Sequence, residues 1–390
     1  MEPETRGVAI RGLEGVIAAE TRIGYVDGAN GKLYYAGYDI NDLAKHASYE
    51  ECVYLLWNDR LPTKRELEDF RAELIPEMTL PRPLVQWFKR VPRGVHPMVM
   101  LRSAVSDLAL YDKETEDNSV EANRRKAARL VAKVPSIIAG FHRIYNGHEV
   151  VPPDPKKSIA VNFLRMFTGK EPDKKSREAI ELMFVLHADH GFNASTFAAR
   201  VTASTLADIY AAITAAIGAL KGPLHGGANV EVLTMLEQIH GGNMTPDEYV
   251  RLAKDKDSKV RLMGFGHRVY KNFDPRAQML QKVAEELVPQ LCGNDPLLDI
   301  ARRLEEIARS DPYFIERNLY PNVDFYSGIL LRAIGIPTNM FTVIFAIGRL
   351  PGWIAQWWEQ NQAPTSRIAR PRQIYTGRTE AHYIPMEQRD

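Results

Sequence analysis

The sequence predicts a mainly α-helical protein, with a short β-hairpin at the N-terminus, one large multi-helix domain and one smaller helical domain. Three observations predict this class. Apolar residues recur at three- and four-residue spacing along most of the chain, strand patterns are confined to its start, and a Gly-Pro step interrupts the helical pattern at residue 222. At about 150 residues per domain, 390 residues favour two or three domains, or one large core with an appendage.

The hairpin is predicted around the segment DGANG, which spans residues 27–31. The Asp27-Gly28 and Asn30-Gly31 steps favour a tight turn between two short strands. The flanking sequences, IGYV and KLYY, are rich in the β-branched and aromatic residues that strands prefer. We therefore expect a small sheet that precedes all of the helices.

Helical periodicity follows the hairpin in several segments. The Ala-rich run at 193–220 is predicted to form one helix packed closely on several sides, and Lys221-Gly222-Pro223 ends it. The apolar run at 339–358 carries Arg349 and Pro351 and is predicted to be a buried helix pair. The other predicted helices cover residues 40–47, 66–78, 122–145, 177–187 and 299–309.

The break at Gly222 also marks a predicted domain boundary, because the long apolar helix pattern resumes only near residue 326. Residues 1–221 and 328–390 are predicted to form the large helical domain. Residues 222–327 are predicted to form a smaller helical domain, inserted between the two parts of the large one.

Composition excludes several classes of protein. The 50 Lys and Arg residues balance 49 Asp and Glu residues, for a net charge of +1, so we expect no basic surface for nucleic acid or an anionic membrane. No charge-free apolar window is long enough to span a membrane, and the start shows no secretory signal. Cys52 and Cys292 are too few for a disulfide framework, although one bridge between them stays open. We expect a soluble, cytoplasmic protein.

The chain lacks the common catalytic signatures for phosphate, dinucleotide or metal binding. His187 and His190 have a spacing that can hold a metal, but no further ligands surround them in sequence, so no metal site is predicted. Three short segments place His225, His267 and Asp324 among Gly, Pro and Asn residues, where the backbone can approach a ligand closely. Each segment alone could be a helix-capping turn, but three in one chain favour an active site.

These segments, with others in the same order, resemble those of the citrate synthase family, and the shorter bacterial and archaeal members are the most similar. The resemblance covers nearly the whole chain. Ala36 departs from a pattern in which many members carry Arg, but that Arg is not one of the family's catalytic groups. The motifs that carry the resemblance are GLEGVIAAET (12–21), LYYAGYDI (33–40), HADHGFNAST, GPLHGGAN, MGFGHRVYKNFDPRA, YPNVDFYSG and ARPRQIYTG (369–377).

The resemblance implies an acyltransferase that condenses acetyl-CoA with oxaloacetate and water to give citrate and CoA, the entry step of the tricarboxylic acid cycle. It implies that Asp324 is the base, that His225 donates to the thioester oxygen, and that His267 polarises the ketone and protonates the new alkoxide. Removing a proton from a thioester methyl group needs such a base and such a donor. We expect the helix start that follows His225 to lower the pKa of this residue.

Oxaloacetate carries two carboxylates, which favour bidentate guanidinium clamps. By resemblance the clamps are Arg276, Arg349 and Arg370, the last from the neighbouring subunit of a homodimer. His190 and Asn193 would add hydrogen bonds to the same substrate. The alternative for each arginine is a solvated helix end. A solvated helix end fits Arg349 least well, because this residue interrupts an apolar stretch and would need a buried partner.

The implied surface for coenzyme A is the loop that leads into His267. Its basic residues would meet the phosphates, and its glycine-rich part would contact the adenine or the pantetheine. The residues concerned are Lys259, Arg261, Gly264, Phe265, Gly266 and Lys271. An exposed basic loop with no ligand is the alternative. Coenzyme A enters as part of a substrate, and no cofactor or metal is implied.

In the family the small domain rotates over the large one, and here His225 and Asp324 lie at its suspected hinges. Closure would assemble the base only after oxaloacetate is bound. Two other functions stay open: a 2-methylcitrate synthase that uses propionyl-CoA, and a non-catalytic helical binding protein that has kept the fold. One methylene is worth only about 1–3 kcal/mol, so the sequence does not separate the two thioesters.

Overall fold

The structure is a computed structural model that describes residues 9–242, 244–363 and 367–389. These residues form seventeen α-helices and one three-stranded sheet, which confirms the predicted class. The strands are β1 (Gly24–Asp27), β2 (Lys32–Tyr35) and β3 (Tyr38–Asp39). The helices are α1 (Ile40–His46), α2 (Tyr49–Asn58), α3 (Lys64–Glu77), α4 (Arg82–Phe88), α5 (Pro97–Leu108), α6 (Val120–Tyr145), α7 (Ile159–Thr168), α8 (Lys174–His187), α9 (Ala194–Ala203), α10 (Ile209–Leu220), α11 (Ala228–Gly241), α12 (Pro246–Lys254), α13 (Pro275–Cys292), α14 (Pro296–Ser310), α15 (Pro312–Ile315), α16 (Val323–Ala333) and α17 (Phe341–Gln362).

The hairpin lies where the DGANG segment predicts it, and a short third strand extends it. Strand β1 pairs with β2, and β2 pairs with β3, both antiparallel. Asp27 closes the turn, since its carboxylate accepts the backbone N–H of Asn30 at 3.1 Å and the side-chain amide of Asn30 at 2.7 Å. Leu33 and Tyr35 of β2 are fully buried, which anchors the hairpin on the helical core.

The other five predicted helices, outside the runs at 193–220 and 339–358, are confirmed to within a few residues, as α1, α3, α6, α8 and α14. Each begins at a residue whose side chain accepts a hydrogen bond from the first turn of the helix, as helix N-caps do. The caps are Asp39 for α1, Thr63 for α3, Ser119 for α6, Asp173 for α8 and Asp295 for α14.

The predicted helix pair at 339–358 is wrong, because this segment is one helix, α17, and Pro351 lies inside it. Proline lacks the N–H that would bond to the carbonyl four residues earlier, which is that of Ile347. The hydroxyl of Tyr49 on α2 donates to this carbonyl oxygen at 2.7 Å and takes the place of the missing bond. Every residue from Phe341 to Trp357 is buried, so α17 forms the centre of the core.

The Ala-rich run at 193–220 also differs from its prediction, since it forms two helices, α9 and α10, and not one. Leu206 adopts a left-handed backbone conformation with φ of 63°, which ends the helical path. The side chain of Asp208 then caps α10 by accepting the N–H of Ala211 at 3.0 Å. The two helices pack against each other and against α17.

Residues 222–327 contain helices α11–α15 and the start of α16. Helix α11 packs against α14 and α16, and α13 packs against α16. The division of the chain into a large and a small domain stays a prediction.

Cys52 is buried, Cys292 is exposed, and both are free thiols, so no bridge joins them. Within the described ranges, none of the helices combines the length and apolar character that a membrane span needs. No group of three or more His, Cys, Asp or Glu side chains in that part of the chain is arranged to hold a metal ion.

Candidate active site

Loops and helix ends bring most of the residues singled out by sequence to one place. The positive charge of Arg276 shifts the pKa of Asp324, His190 and His267. The charge of Arg349 shifts the pKa of Asp324, His190 and His225. Because the effect of a charge falls off with distance, these groups lie close to one another. They come from six places in the fold: His190 and Asn193 between α8 and α9, His225 between α10 and α11, His267 between α12 and α13, Arg276 at the start of α13, Asp324 at the start of α16, and Arg349 within α17.

Two histidines of this site pack edge to face. The ring centres of His190 and His267 are 5.2 Å apart, and that of Tyr270 lies 4.8 Å from His267. His190 Nε2 is 3.2 Å from the Tyr270 hydroxyl. Burial, reinforced by the charge of Arg276, lowers the pKa of His267 to about 4 and that of His190 well below its usual range. Both imidazoles are therefore neutral at neutral pH.

The loop backbone fixes the orientation of His267. The backbone N–H of Val269 donates to His267 Nδ1 at 3.0 Å, and that of Tyr270 approaches the same atom at 3.3 Å. Because a backbone amide only donates, Nδ1 must accept, and the proton of the neutral ring resides on Nε2. This tautomer leaves Nε2–H as the hydrogen-bond donor.

His225 is held by Ser195 at the start of α9. Its Nε2 lies 2.8 Å from Ser195 Oγ and 3.3 Å from the Ser195 backbone nitrogen, while the Trp353 indole N–H donates to the same Oγ at 3.1 Å. The contact with the backbone amide favours the tautomer whose proton is on Nδ1. Burial, followed by the charge of Arg349, lowers the pKa of His225 to about 4, which is the expected direction. The contribution of the helix start that follows His225 stays a prediction.

Asp324 lies in the first turn of α16, where the N-cap Asn322 accepts its backbone N–H at 3.0 Å. Burial raises the pKa of its carboxyl group to about 6, although the cations Arg276 and Arg349 oppose the shift. Such a carboxylate is a stronger base than one in water and is still mostly ionised at pH 7.

The helix start that carries Asp324 is tied to the loop that carries His267. Asn322 donates its backbone N–H to the carbonyl oxygen of Gly264 and its side-chain amide to that of Gly266, both at 2.9 Å. The Gly266 N–H donates to the carbonyl oxygen of Tyr320 at 2.8 Å. Three hydrogen bonds therefore join the two segments.

Arg276 is buried and held by an acidic neighbour. Its guanidinium donates to both oxygens of Asp274, at 3.0 and 2.8 Å. Asp274 also accepts the backbone N–H of Val323 at 3.1 Å, which links the arginine to the helix of Asp324. The pair leaves further N–H groups of the guanidinium open for an anion, since Arg has five donors.

Arg349 is also buried, at 2 % exposure, but no carboxylate lies within ion-pair distance of it among the described residues. Its Nε donates to the carbonyl oxygen of His187 at 2.7 Å, and its guanidinium stands 4.9 Å from the ring centre of Phe345. Burial lowers the pKa of Arg349 to about 10, and the more distant Asp189 opposes the shift. An anionic ligand would supply the missing partner.

Asn193 serves as the N-cap of α9, and its Oδ1 accepts the backbone N–H groups of Ser195 and Thr196, each at 3.1 Å. The predicted coenzyme A contacts around His267 differ in exposure. Lys259, Arg261 and Lys271 are exposed, Gly264 is buried, and Phe265 and Gly266 are half-buried. Arg370 is exposed, and within the described part of one chain it makes no contact with the cluster.

Four residues that shape the site are not predicted from the sequence as part of the active site: His187, Asp189, Ser195 and Trp353. The sequence draws attention to His187 only for its metal-ligand spacing to His190. His187 donates from Nδ1 to the carbonyl oxygen of Met183 at 2.7 Å, and its buried Nε2 has no partner. The first three lie in the HADHGFNAST motif, so their position beside His190 was a signal. Trp353 has no recognisable signal in the sequence, because only the fold brings it into contact with Ser195.

The chain is similar in sequence to known proteins. The sequence profile described as "Citrate synthase, C-terminal domain" matches residues 12–372. A citrate synthase of Corynebacterium glutamicum is 47% identical over 381 residues, which are 95% of this chain and 86% of that protein.

Two solved structures share the fold. The citrate synthase of Pyrobaculum aerophilum superposes with a TM-score of 0.90 at 42% identity, covering 98% of this chain and 95% of that one. The citrate synthase of Thermoplasma acidophilum, solved as a ternary complex with carboxymethyl coenzyme A and oxaloacetate, gives 0.89 at 34% identity, over 97% and 98% of the two chains. Matched in sequence and in fold along nearly its whole length, the chain belongs to the citrate synthase family.

Proposed function

We propose that this protein joins the methyl carbon of acetyl-CoA to the ketone carbon of oxaloacetate and hydrolyses the resulting thioester, to give citrate and CoA. The observation that carries the proposal is the convergence of Asp324, His225 and His267 beside two buried guanidinium groups, those of Arg276 and Arg349. This set provides a base, two neutral donors and a site for a dianion.

In the first step, the Asp324 carboxylate takes a proton from the thioester methyl group. The Nδ1–H of His225 donates to the thioester oxygen as negative charge develops there, which lowers the barrier to the enolate. His225 suits this task because burial lowers its pKa to about 4 and keeps it a neutral donor.

In the second step, the nucleophilic carbon attacks the ketone of oxaloacetate. The Nε2–H of His267 polarises the ketone oxygen and then transfers its proton to the alkoxide that forms. The proton that Asp324 took from the methyl group returns to the His267 ring through water, which restores both groups. Water finally cleaves the thioester bond and releases the CoA thiol, so the carboxylic acid group of citrate gains the oxygen of that water. No redox step occurs.

The two carboxylates of oxaloacetate are proposed to bind at the buried arginines. Arg276 is oriented by Asp274, and Arg349 has no carboxylate of its own within ion-pair distance in the described residues. His190 and Asn193 would add hydrogen bonds at the same place. Coenzyme A is proposed to lie along the exposed basic loop, with Lys259, Arg261, Gly264, Phe265, Gly266 and Lys271 as candidate contacts.

We further propose a homodimer in which Arg370 completes the site of the partner subunit. Residues 367–389 are exposed along their whole length and still carry large apolar side chains, such as Ile368 and Tyr375. Helix α10 presents small residues on its outer side, and Leu110 and Leu206 near it are 79% and 61% exposed. A second copy of the chain would cover these surfaces.

The test is to follow methyl-labelled acetyl-CoA by carbon-13 NMR in the presence and absence of oxaloacetate. We expect the label in a methylene group of citrate only when oxaloacetate is present, together with free CoA thiol. Propionyl-CoA in a parallel reaction measures selectivity between the two thioesters. Thiol release that is independent of oxaloacetate would show a thioesterase and contradict the proposal.

A further inference from the structure

The turn of the N-terminal hairpin touches the His267 loop with almost no space between them. A Cβ atom added to Gly28 would lie 2.1 Å from the carbonyl oxygen of Val269, closer than such atoms can approach. A Cβ atom on Gly31 would lie 2.7 Å from the carbonyl oxygen of Phe273. The backbone N–H of Lys271 donates to the carbonyl oxygen of Gly28 at 2.9 Å. Only glycine allows this contact between backbones.

The loop residue that meets Gly28 is also the one that orients His267. The N–H of Val269 donates to His267 Nδ1 at 3.0 Å, while its carbonyl group packs on Gly28. A displacement of Val269 would therefore move the hydrogen-bond donor that sets the position of the imidazole ring. Gly28 and His267 are connected through a single residue.

The hairpin is a firm support for this contact. The buried Tyr35 of β2 donates its hydroxyl to the carbonyl oxygen of Val185 in α8 at 3.1 Å. In β1, a Cβ on Gly24 would lie 2.3 Å from the buried Asp189 carboxylate, which directly precedes His190. The hairpin thus lies against the segment that carries His190 and contacts, at its turn, the loop that carries His267.

We propose that Gly28 is a positioning residue, and that docking of the hairpin turn on Val269 holds the His267 ring beside His190 for reaction with the ketone. The inference rests on the role of His267 in the proposed function. The turn belongs to the predicted large domain and the loop to the predicted small domain, so the same contact joins the two.

The test compares Gly28→Ala with Ala29→Ser, an exposed position of the same turn. Gly28 does not have a left-handed backbone, so alanine fits its own conformation and disturbs only the contact with Val269. We expect kcat of Gly28→Ala to fall about tenfold to a hundredfold, since a small misplacement of a catalytic group has that effect. Oxaloacetate affinity by calorimetry should change by less than about threefold, because the arginine clamps stay in place.

Equal kcat values for the two variants would overturn the proposal, as would an equal loss of affinity and kcat in Gly28→Ala. If Gly28→Ala does not fold, hydrogen exchange of the parent protein tests whether the hairpin turn docks on the His267 loop. We expect the Lys271 amide to be protected when oxaloacetate is bound, and exchange at the rate of a free loop would contradict docking. Absence of oxaloacetate-dependent thiol release in the parent would instead refute the proposed function.

Discussion

At the scale of single residues, burial in one site raises the pKa of a carboxylic acid and lowers the pKa of two imidazoles. Burial lowers the pKa of His225 and of His267 to about 4 and raises that of Asp324 to about 6. At neutral pH the site therefore holds two neutral imidazole donors and one ionised carboxylate. These are the protonation states that enolate formation and ketone activation require.

The pH dependence of the reaction follows from these shifts. Asp324 can accept a proton only when ionised, and it becomes protonated as the pH falls through its raised pKa of about 6. We expect kcat/KM to be constant near neutral pH and to fall about tenfold per unit well below pH 6. A profile that stays flat to pH 4.5, with circular dichroism showing a folded protein, would contradict Asp324 as the base.

The contact between Trp353 and Ser195 gives a second prediction at this scale. Trp353→Phe removes the N–H that holds Ser195 Oγ against His225, which is a hydrogen bond worth about 1 kcal/mol. We expect a several-fold loss of kcat with little change in KM for oxaloacetate, measured by steady-state kinetics.

Trp357→Phe is the matched control for this prediction. Trp357 lies on the same helix, is equally buried and also uses its indole N–H for one hydrogen bond, to the carbonyl oxygen of Ala207. If both variants lose the same activity, Trp353 has no special role in holding Ser195.

Residue types and short motifs predict the catalytic side chains of the site better than they predict the residues that hold those side chains in place. Histidine and aspartate stand out within glycine-rich segments, so His225, His267 and Asp324 are visible in the sequence. Trp353 is not, because it lies among many apolar residues of α17 and meets Ser195 only through tertiary packing. The bond between Asp274 and the Val323 N–H is hidden for the same reason.

At the scale of elements, the helices and the hairpin follow local patterns, and the errors occur where tertiary contacts override them. The Ala-rich run favours a helix throughout, yet it breaks at Leu206. The Asn118 side chain donates to the carbonyl oxygen of Leu206 at 3.3 Å, a contact 88 positions away in sequence. Proline predicts a helix end, yet α17 continues through Pro351 because Tyr49 satisfies the free carbonyl group of Ile347.

This account of α17 can be tested with a double-mutant cycle. Tyr49→Phe leaves the buried carbonyl oxygen of Ile347 without a donor and should lower the free energy of unfolding by about 1–3 kcal/mol. Pro351→Ala restores a backbone N–H four residues after Ile347, so Tyr49→Phe should cost much less in that background. Denaturant unfolding of the four proteins measures the difference, and strictly additive effects would refute the explanation.

At the scale of the whole molecule, a net charge of +1 conceals a local excess of positive charge. Arg276 and Arg349 are both 2 % exposed, and only Arg276 has a carboxylate within ion-pair distance among the described residues. Arg370 would add a third guanidinium to this site if it reaches the partner subunit. The near-neutral total thus coexists with two buried guanidinium groups, the proposed binding site of a dianion.

Subunit mixing tests the proposed contribution of Arg370. Each site would combine its own Asp324 with Arg370 of the other chain, so Asp324→Asn and Arg370→Ala homodimers should both be nearly inactive. After denaturation and refolding of an equal mixture, half of the dimers are hybrids with one intact site, and activity should return to about one quarter of the parent value. No recovery would place Arg370 in the site of its own chain, and an active Arg370→Ala homodimer would place it outside any site.

The most direct test of the central claim is a comparison of Asp324→Asn with the parent protein and with Asp69→Asn, a variant of an exposed aspartate on α3. Oxaloacetate-dependent release of CoA thiol from acetyl-CoA is measured, together with oxaloacetate affinity. We predict that Asp324→Asn lowers kcat by about 10²- to 10⁴-fold while oxaloacetate still binds, and that Asp69→Asn is unchanged. Asp324→Asn with the kcat of the parent would contradict the account.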